Sequence, residues 1–266
     1  MNKLNNIIGL FLLTLATAQY SVQAQTLDIS QIVKKANHAV LYQGDDGKAK
    51  IDMKIIDGKG RERNRQLTMI RKNLDDVDGA QKYYVYFSKP ADIKKMVFMT
   101  WKNREREDDR WLYLPALDLV KRIAASDERT SFVGSHFFYE DVSGRDIDED
   151  VHELLEETEK YYVTKSTPKT PNLVEFKYYK TWVDKQKFLP IKAEYFNDKE
   201  VIYRTYTVLD TQTIDSYATV TQAQIEDNIS GGKTVLNYSS VKYNNDIPEK
   251  IFSERYLRRA PKKYLR

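Results

Sequence analysis

WLYLPALDLVKRIAASDERTSFVGSHFFYEDV, residues Trp111 to Val142, decides how the rest of the chain is read. Its first piece, Trp111-Leu112-Tyr113-Leu114-Pro115, carries no charge. Successive side chains of a strand point to opposite sides of a sheet, so this strand is apolar on both faces. A sheet with one face in water alternates apolar with polar residues instead. One face of the strand is therefore expected on the core, and the other beneath a helix, a loop or an apolar ligand. A basic step (Lys121, Arg122) and a polar loop lead to a second aromatic piece, SHFFYEDV, from Ser135 to Val142.

Upstream, two more segments share the two-sided apolar character: KYYVYFS, within a strand over 81–88, and MVFMTW, 96–101. Ahead of them Ala49, Ile51, Met53 and Ile55 alternate with Lys50, Asp52 and Lys54, and Asp57-Gly58-Lys59-Gly60 reads as a tight hairpin turn. The return strand, 61–71, starts with Arg61, Arg63 and Arg65 on one side and ends with Leu67 and Met69 on that same side. Residues 28–42 predict a helix, with Ile29, Ile32, Val33, Ala36 and Val40 at helical spacing and Asp28 or Ser30 as its cap. The charged link KNREREDDR, 102–110, reads as a solvated hairpin loop, and a short strand is expected around 119–123.

Downstream, 143–158 (SGRDIDEDVHELLEET) is acidic, with Val151, Leu154 and Leu155 at helical spacing, and predicts a short surface helix. Six further strands are expected at 159–165, 172–184, 187–197, 200–212, 217–228 and 233–243, separated by turn-forming pairs such as Asn197-Asp198 and Gly231-Gly232. Pro248 to Leu257 predicts a final short helix, and the tail RRAPKKYLR is basic. The fold class that follows is mainly β: an incomplete, half-open antiparallel β-barrel of about 11–12 strands with covering helices. No strand–helix alternation points to a parallel sheet.

Composition narrows the function. Residues 1–24 have the layout of a secretory signal, with Lys3, the apolar run Ile7 to Ala16 and a Val22-Gln23-Ala24 cleavage pattern. Its removal leaves a single domain, 25–266, with a net charge of +3, too small to imply nucleic acid. The 266 residues include no cysteine, so an exported chain of this sequence rests on its core without disulfides.

Chemical readings find little to hold. Nucleophilic catalysis lacks a cysteine or a Gly-x-Ser-x-Gly elbow; Ser135, His136 and Asp141 are too close along an extended segment to converge. Metal binding could draw on His136 with Glu140 and Asp141, or on His152 with Glu149 and Glu153, but no two histidines have ligand spacing. Nothing selects a carboxylate pair for glycoside hydrolysis, and no phosphate-binding glycine loop calls for a cofactor. A membrane-spanning barrel needs a continuous lipid-facing apolar band, which the strand over 217–228 does not offer. Binding of an apolar ligand, without catalysis, is the reading that uses the two-sided strands.

WLYLPALDLVKRI, GSHFFYEDV, TWVDKQKFLPIKAEYF and IFSERYLRR resemble the outer-membrane lipoprotein-sorting protein family, exported LolA-like carriers. The likeness runs over about residues 28–260, and is most specific at Trp111-x-Tyr113-Leu114-Pro115, Lys121-Arg122-Ile123 and Gly134-Ser135-x-Phe137-x-Tyr139-Glu140-Asp141. It implies a half-open barrel closed by helices over a hydrophobic cavity, and transport of a lipid or of lipoprotein acyl chains across the periplasm. It also implies, as the alternative, an accessory protein that docks to a membrane transporter of the resistance-nodulation-division class. The family pattern usually has Asp where this chain has His136, a residue that titrates near neutrality. The cavity wall is expected at Phe98, Trp101, Trp111, Tyr113, Leu114 and Trp182, and its mouth at Phe137, Phe138 and Tyr139.

Overall fold

A computed structural model describes residues 27–265. The expected signal segment and its cleavage site lie outside the described residues. Thirteen strands form one antiparallel sheet: β1 (Asp46–Ile56), β2 (Glu62–Asn73), β3 (Gln81–Lys89), β4 (Val97–Lys102), β5 (Asp109–Leu114), β6 (Leu119–Ile123), β7 (Asp150–Glu157), β8 (Tyr161–Pro168), β9 (Tyr178–Asp184), β10 (Pro190–Phe196), β11 (Ile202–Ile214), β12 (Tyr217–Asp227) and β13 (Gly232–Tyr243). Their order is β6-β5-β4-β3-β2-β1-β13-β12-β11-β10-β9-β8-β7. The first and last strands pair with each other, and every other neighbour pair is a sequential hairpin. Only between β6 and β7 does the ladder break, so the sheet stays open along that seam.

The expected helix over 143–158 is corrected by β7. Its spacing is helical, yet Val151, Leu154 and Leu155 are all exposed, so no packed face stands behind the pattern. The segment pairs antiparallel with β8, with a bulge between Leu154 and Glu156, and backbone pairing overrides a period that packing does not use. This strand is the one missing from the expected count. The final helix is also shorter than expected: 248–257 is broken into a 3₁₀ turn, Glu249–Ile251, and one turn of helix, Arg255–Arg258.

The amino-terminal helix α1 (Ile29–Asn37) starts with a capping box. The Asp28 carboxylate accepts from the Gln31 N–H at 2.8 Å, and the Gln31 side chain accepts from the Asp28 N–H at 3.1 Å. It continues as a π-helical turn, His38–Tyr42. No helix among the described residues is long and apolar enough to cross a membrane.

Two clusters account for the two-sided strands. On the inner face Ile51, Met53, Ile55, Leu67, Val85, Phe87, Phe98 and Leu112 pack with Phe132, Phe137 and Tyr139 of the segment joining β6 to β7. On the outer face Ile70, Tyr84, Val97, Met99, Trp111 and Tyr113 lie beneath Ile247, Ile251, Phe252 and Leu257 of the carboxy-terminal segment. The second face of Trp111-Leu112-Tyr113 is thus covered by the chain's own end. Trp101 Nε1 donates to the Phe252 carbonyl at 2.8 Å, and Tyr84 Oη to the Tyr256 carbonyl at 2.7 Å, which satisfies the polar atoms of both rings.

The crossing segment, 124–149, spans the inner face rather than the seam. Two arginines of β2 fasten it: Arg65 donates to the Val133 carbonyl and Arg63 to the Gly134 carbonyl. Val133, a β-branched residue, is held there at φ 52°. From β13, Thr234 binds both the backbone N–H and the ring of His136. The basic start of β2 is therefore an anchor for the aromatic piece that opened the sequence reading.

Candidate functional site

The inner face is packed in one half of the sheet and hollow in the other. Strands β1 to β5 fill it with Ile, Met and Phe. The inward positions of β8 to β12 include Thr164, Ser166, Thr181, Ala193 and Ala218, which are too small to fill the space. The void that results is about 410 Å³, within the range of small-molecule sites. Its roof is α1 and its continuation, through Val33, Ala36, Val40 and Leu41, and its far wall is the crossing segment, through Phe137, Val142 and Ile147. Tyr179, Tyr195, Tyr206 and Tyr238 supply the aromatic lining, and burial pushes Tyr195 and Tyr238 up to about 12, so these rings stay neutral.

The crossing segment meets the hollow half through charge. Glu140 is buried between Arg129 and Arg145, and Arg145 continues to the fully buried Asp150 at 3.0 Å. Arg129 also grips Glu175 at 2.6 Å. Asp141 pairs with Arg204 of β11, whose guanidinium lies 4.1 Å from the centre of the Phe138 ring and 5.2 Å from that of Tyr195. The short helix α2 (Glu140–Ser143) ends at Gly144, where φ is 75° and an added Cβ would lie 2.5 Å from Leu41, so the wall fits closely under the roof. The acidic end of SHFFYEDV is an ion-pair clasp.

Of the residues expected to line the cavity, only Phe137 does so. Phe98 and Tyr139 are buried in the inner core, with ring centres 5.3 Å apart, and Leu114 packs at the edge of that cluster. Trp111 and Tyr113 belong to the outer cluster, where Trp101 packs against them beneath the carboxy-terminal segment. Trp182 falls between the inward Thr181 and Val183 and points outward, with the Lys192 ammonium 4.6 Å from its ring centre. Phe138 is held by Arg204 and Arg129. In the first half large side chains fill the core, whereas the cavity opens where small inward residues stand among the tyrosines. The usable signal was the run of small inward residues in the second half.

The residues weighed for catalysis do not converge. Ser135 Oγ donates to the Phe132 carbonyl at 2.8 Å, His136 pairs with Thr234 and Asp141 with Arg204. His152, also weighed as a metal ligand, is 2.8 Å from both Ser166 Oγ and the Ile147 carbonyl.

A second depression, about 600 Å³, adjoins the cavity and shares Ala39 and Ala218 with it. Its walls carry Lys34, Lys35, His38 and Asp78 on one side and Gln186, Lys187 and Phe188 on the other.

This open sheet with a roofed inner cavity has counterparts among known proteins. A family model described as an uncharacterized protein matches residues 79–259. A DUF1329 family protein from Desulfovibrio piger is 27% identical, with a TM-score of 0.77 over 85% of this chain and 95% of that one. The chain belongs to the DUF1329 family. The same fold occurs in a Vibrio parahaemolyticus protein described as an outer membrane lipoprotein-sorting protein domain, at 24% identity and a TM-score of 0.78 over 86% and 97% of the two chains. A LolA superfamily protein from Nitrosomonas europaea follows at 21% identity and 0.67, over 87% of this chain and all of that one. No curated protein matches the sequence. The expected half-open, LolA-like β fold is the fold of this DUF1329 member.

Proposed function

We propose that this DUF1329 protein is a periplasmic carrier that takes an acyl chain of a lipid or lipoprotein into its cavity and moves it across the cell envelope without catalysis. The observation behind this reading is the void between the hollow half of the sheet and α1, lined by Val33, Val40, Phe137, Val183, Ile225 and their neighbours. Each CH₂ moved from water into such a space contributes about 0.8 kcal/mol, so a long chain is held strongly before ordering costs. The neutral tyrosines, and the pairing of Arg145 and Arg204 with carboxylates, keep that part of the wall compatible with an apolar guest. The fold shared with lipoprotein-sorting relatives supports the reading, and the export signal expected at 1–24 supports the periplasmic setting. Docking to a resistance-nodulation-division transporter has less behind it: Tyr264 and Leu265 of the basic tail pack on the outer cluster, and Arg258 pairs with Asp118 at 3.0 Å.

The test is to purify the mature protein from its native host, extract it with organic solvent and analyse the extract by lipid mass spectrometry. A co-purifying acyl lipid is expected, displaced when a fluorescent fatty acid is added in excess. Neither a bound lipid nor saturable uptake of the fluorescent acid would overturn the carrier.

A further inference from the structure

The basic depression beside the cavity has no place in the reading so far. Lys34 and Lys35 stand in the last turn of α1, and Lys187 on the turn between β9 and β10 faces them. None of these three ammonium groups has a carboxylate at ion-pair distance among the described residues: Lys35 Nζ lies 4.8 Å from the centre of the Phe188 ring, and Lys187 Nζ is 3.0 Å from Thr211 Oγ1. Of the acids near this surface, Asp78 is 3.0 Å from His38, and Asp210, near enough to Lys187 to feel its charge, accepts from Thr221 Oγ1 at 2.5 Å. Asp184, just behind the turn, accepts the Gln186 and Lys187 N–H groups at 2.9 and 2.7 Å, and Asp215, next to the lining Ser216, accepts the Tyr243 N–H at 3.2 Å. The charged cavity residues differ: Arg145 faces the buried Glu140 and Arg204 the half-buried Asp141, while Arg71 donates to the Gln43 and Gly44 carbonyls and to Asn73 Oδ1. On the rim, where the cavity meets water, positive charge is in excess.

We propose that Lys34, Lys35 and Lys187 form a vestibule that binds the anionic head, a carboxylate or phosphate, of the lipid whose acyl chain fills the adjoining cavity. This rests on the carrier reading of the cavity. The geometry suits one amphiphile spanning both spaces. Ala39 and Ala218 stand at the junction, where their small side chains leave room for a chain to pass from polar rim to apolar interior. Ammonium groups on flexible stems reach heads of several shapes as mobile point charges. An anion here meets three cations without the cost of burying its charge.

Fluorescence titration of the mature protein with a dansyl-labelled undecanoic acid and with its methyl ester separates head from chain. The acid is expected to bind about fivefold more tightly than the ester at low ionic strength, an advantage typical of a few exposed charge pairs. That advantage should shrink in high salt and vanish in a Lys34→Gln/Lys35→Gln/Lys187→Gln variant. Unchanged urea unfolding of that variant confirms that its fold is intact. Equal binding of acid and ester by the wild type, or an advantage retained by the variant, would overturn the vestibule while leaving the carrier standing. Failure of both probes would overturn the carrier, and the vestibule with it. Calorimetry with inorganic phosphate alone is the remaining arm: binding as tight as that of the acid, lost in the variant, would make this a free-anion site and not a head-group site.

Discussion

His136 shows how a single position is tuned by what it touches. Its backbone N–H donates to Thr234 Oγ1 at 3.0 Å, and its ring Nδ1 is 2.8 Å from the same oxygen. That hydroxyl has one proton to give, and giving it to Nδ1 requires a neutral imidazole with its own proton on Nε2. Burial on the crossing segment lowers the pKa below the ordinary 6.5, and the opposing pull of Asp227 does not reverse it. The unfolded chain therefore takes up this proton before the folded one does. The group's contribution to stability is complete above about 6.5 and is lost as pH falls through the lowered folded value. Urea midpoints at pH 7.5 and pH 5 should differ for the wild type, and the difference should narrow in His136→Asn. Equal pH dependence of the two proteins would count against this account. Where the related pattern has Asp, the same place would carry an acceptor that cannot titrate in this range.

Among the elements, the carboxy-terminal segment carries weight that its irregular form conceals. Phe252 is 1% exposed and lies with Ile251 and Leu257 over Trp111 and Tyr113. Phe252→Ala should cost about 3–5 kcal/mol, the usual loss for a buried aromatic whose cavity cannot collapse, read as a lower urea midpoint. Because the outer cluster lies across the sheet from the cavity, affinity for a fluorescent fatty acid measured well below that midpoint should not change. A matching loss of affinity would mean that the two faces are coupled. The two greasy faces of Trp111-Leu112-Tyr113 were legible in the sequence, and so was the list of possible covers, because strand alternation is strictly local. Which cover won was not, since the answer sits more than a hundred residues downstream in a segment of two short turns. The acidic edge strand β7 failed for a related reason: its exposed leucines match a helical period that nothing in the fold selects.

Across the whole molecule, one asymmetry organises both stability and binding: half of the sheet is filled and half is not. Twelve of the thirteen strands and the open sheet could be anticipated from hairpin spacing, because each turn announces itself in two to four residues; β7 could not. The position of the cavity could not be read by looking for aromatics. An absence of bulk shows only once inward and outward positions are known, and bulges at Pro190/Lys192 and Val208/Asp210 shift that alternation within the strands that form the hollow. The asymmetry makes stability and binding compete for the same space. Ala193 is 8% exposed and faces the void from β10. Ala193→Leu would occupy part of the volume with methyl groups that have no such neighbours in water. Filling an existing void commonly adds about 0.5–2 kcal/mol, which for a domain of this size raises Tm by about 2–4 °C per kcal/mol. The same side chain displaces two or three CH₂ groups of a bound chain, at about 0.8 kcal/mol each, so affinity for a fluorescent fatty acid should fall by roughly tenfold or more. Thermal unfolding and fluorescence titration of one variant measure both effects, and they must move in opposite directions. A variant that gained stability and kept full affinity would place the acyl chain elsewhere on the protein. One that lost both would mean that the space is already filled by the motions of its own walls, and that the hollow half is packed in solution.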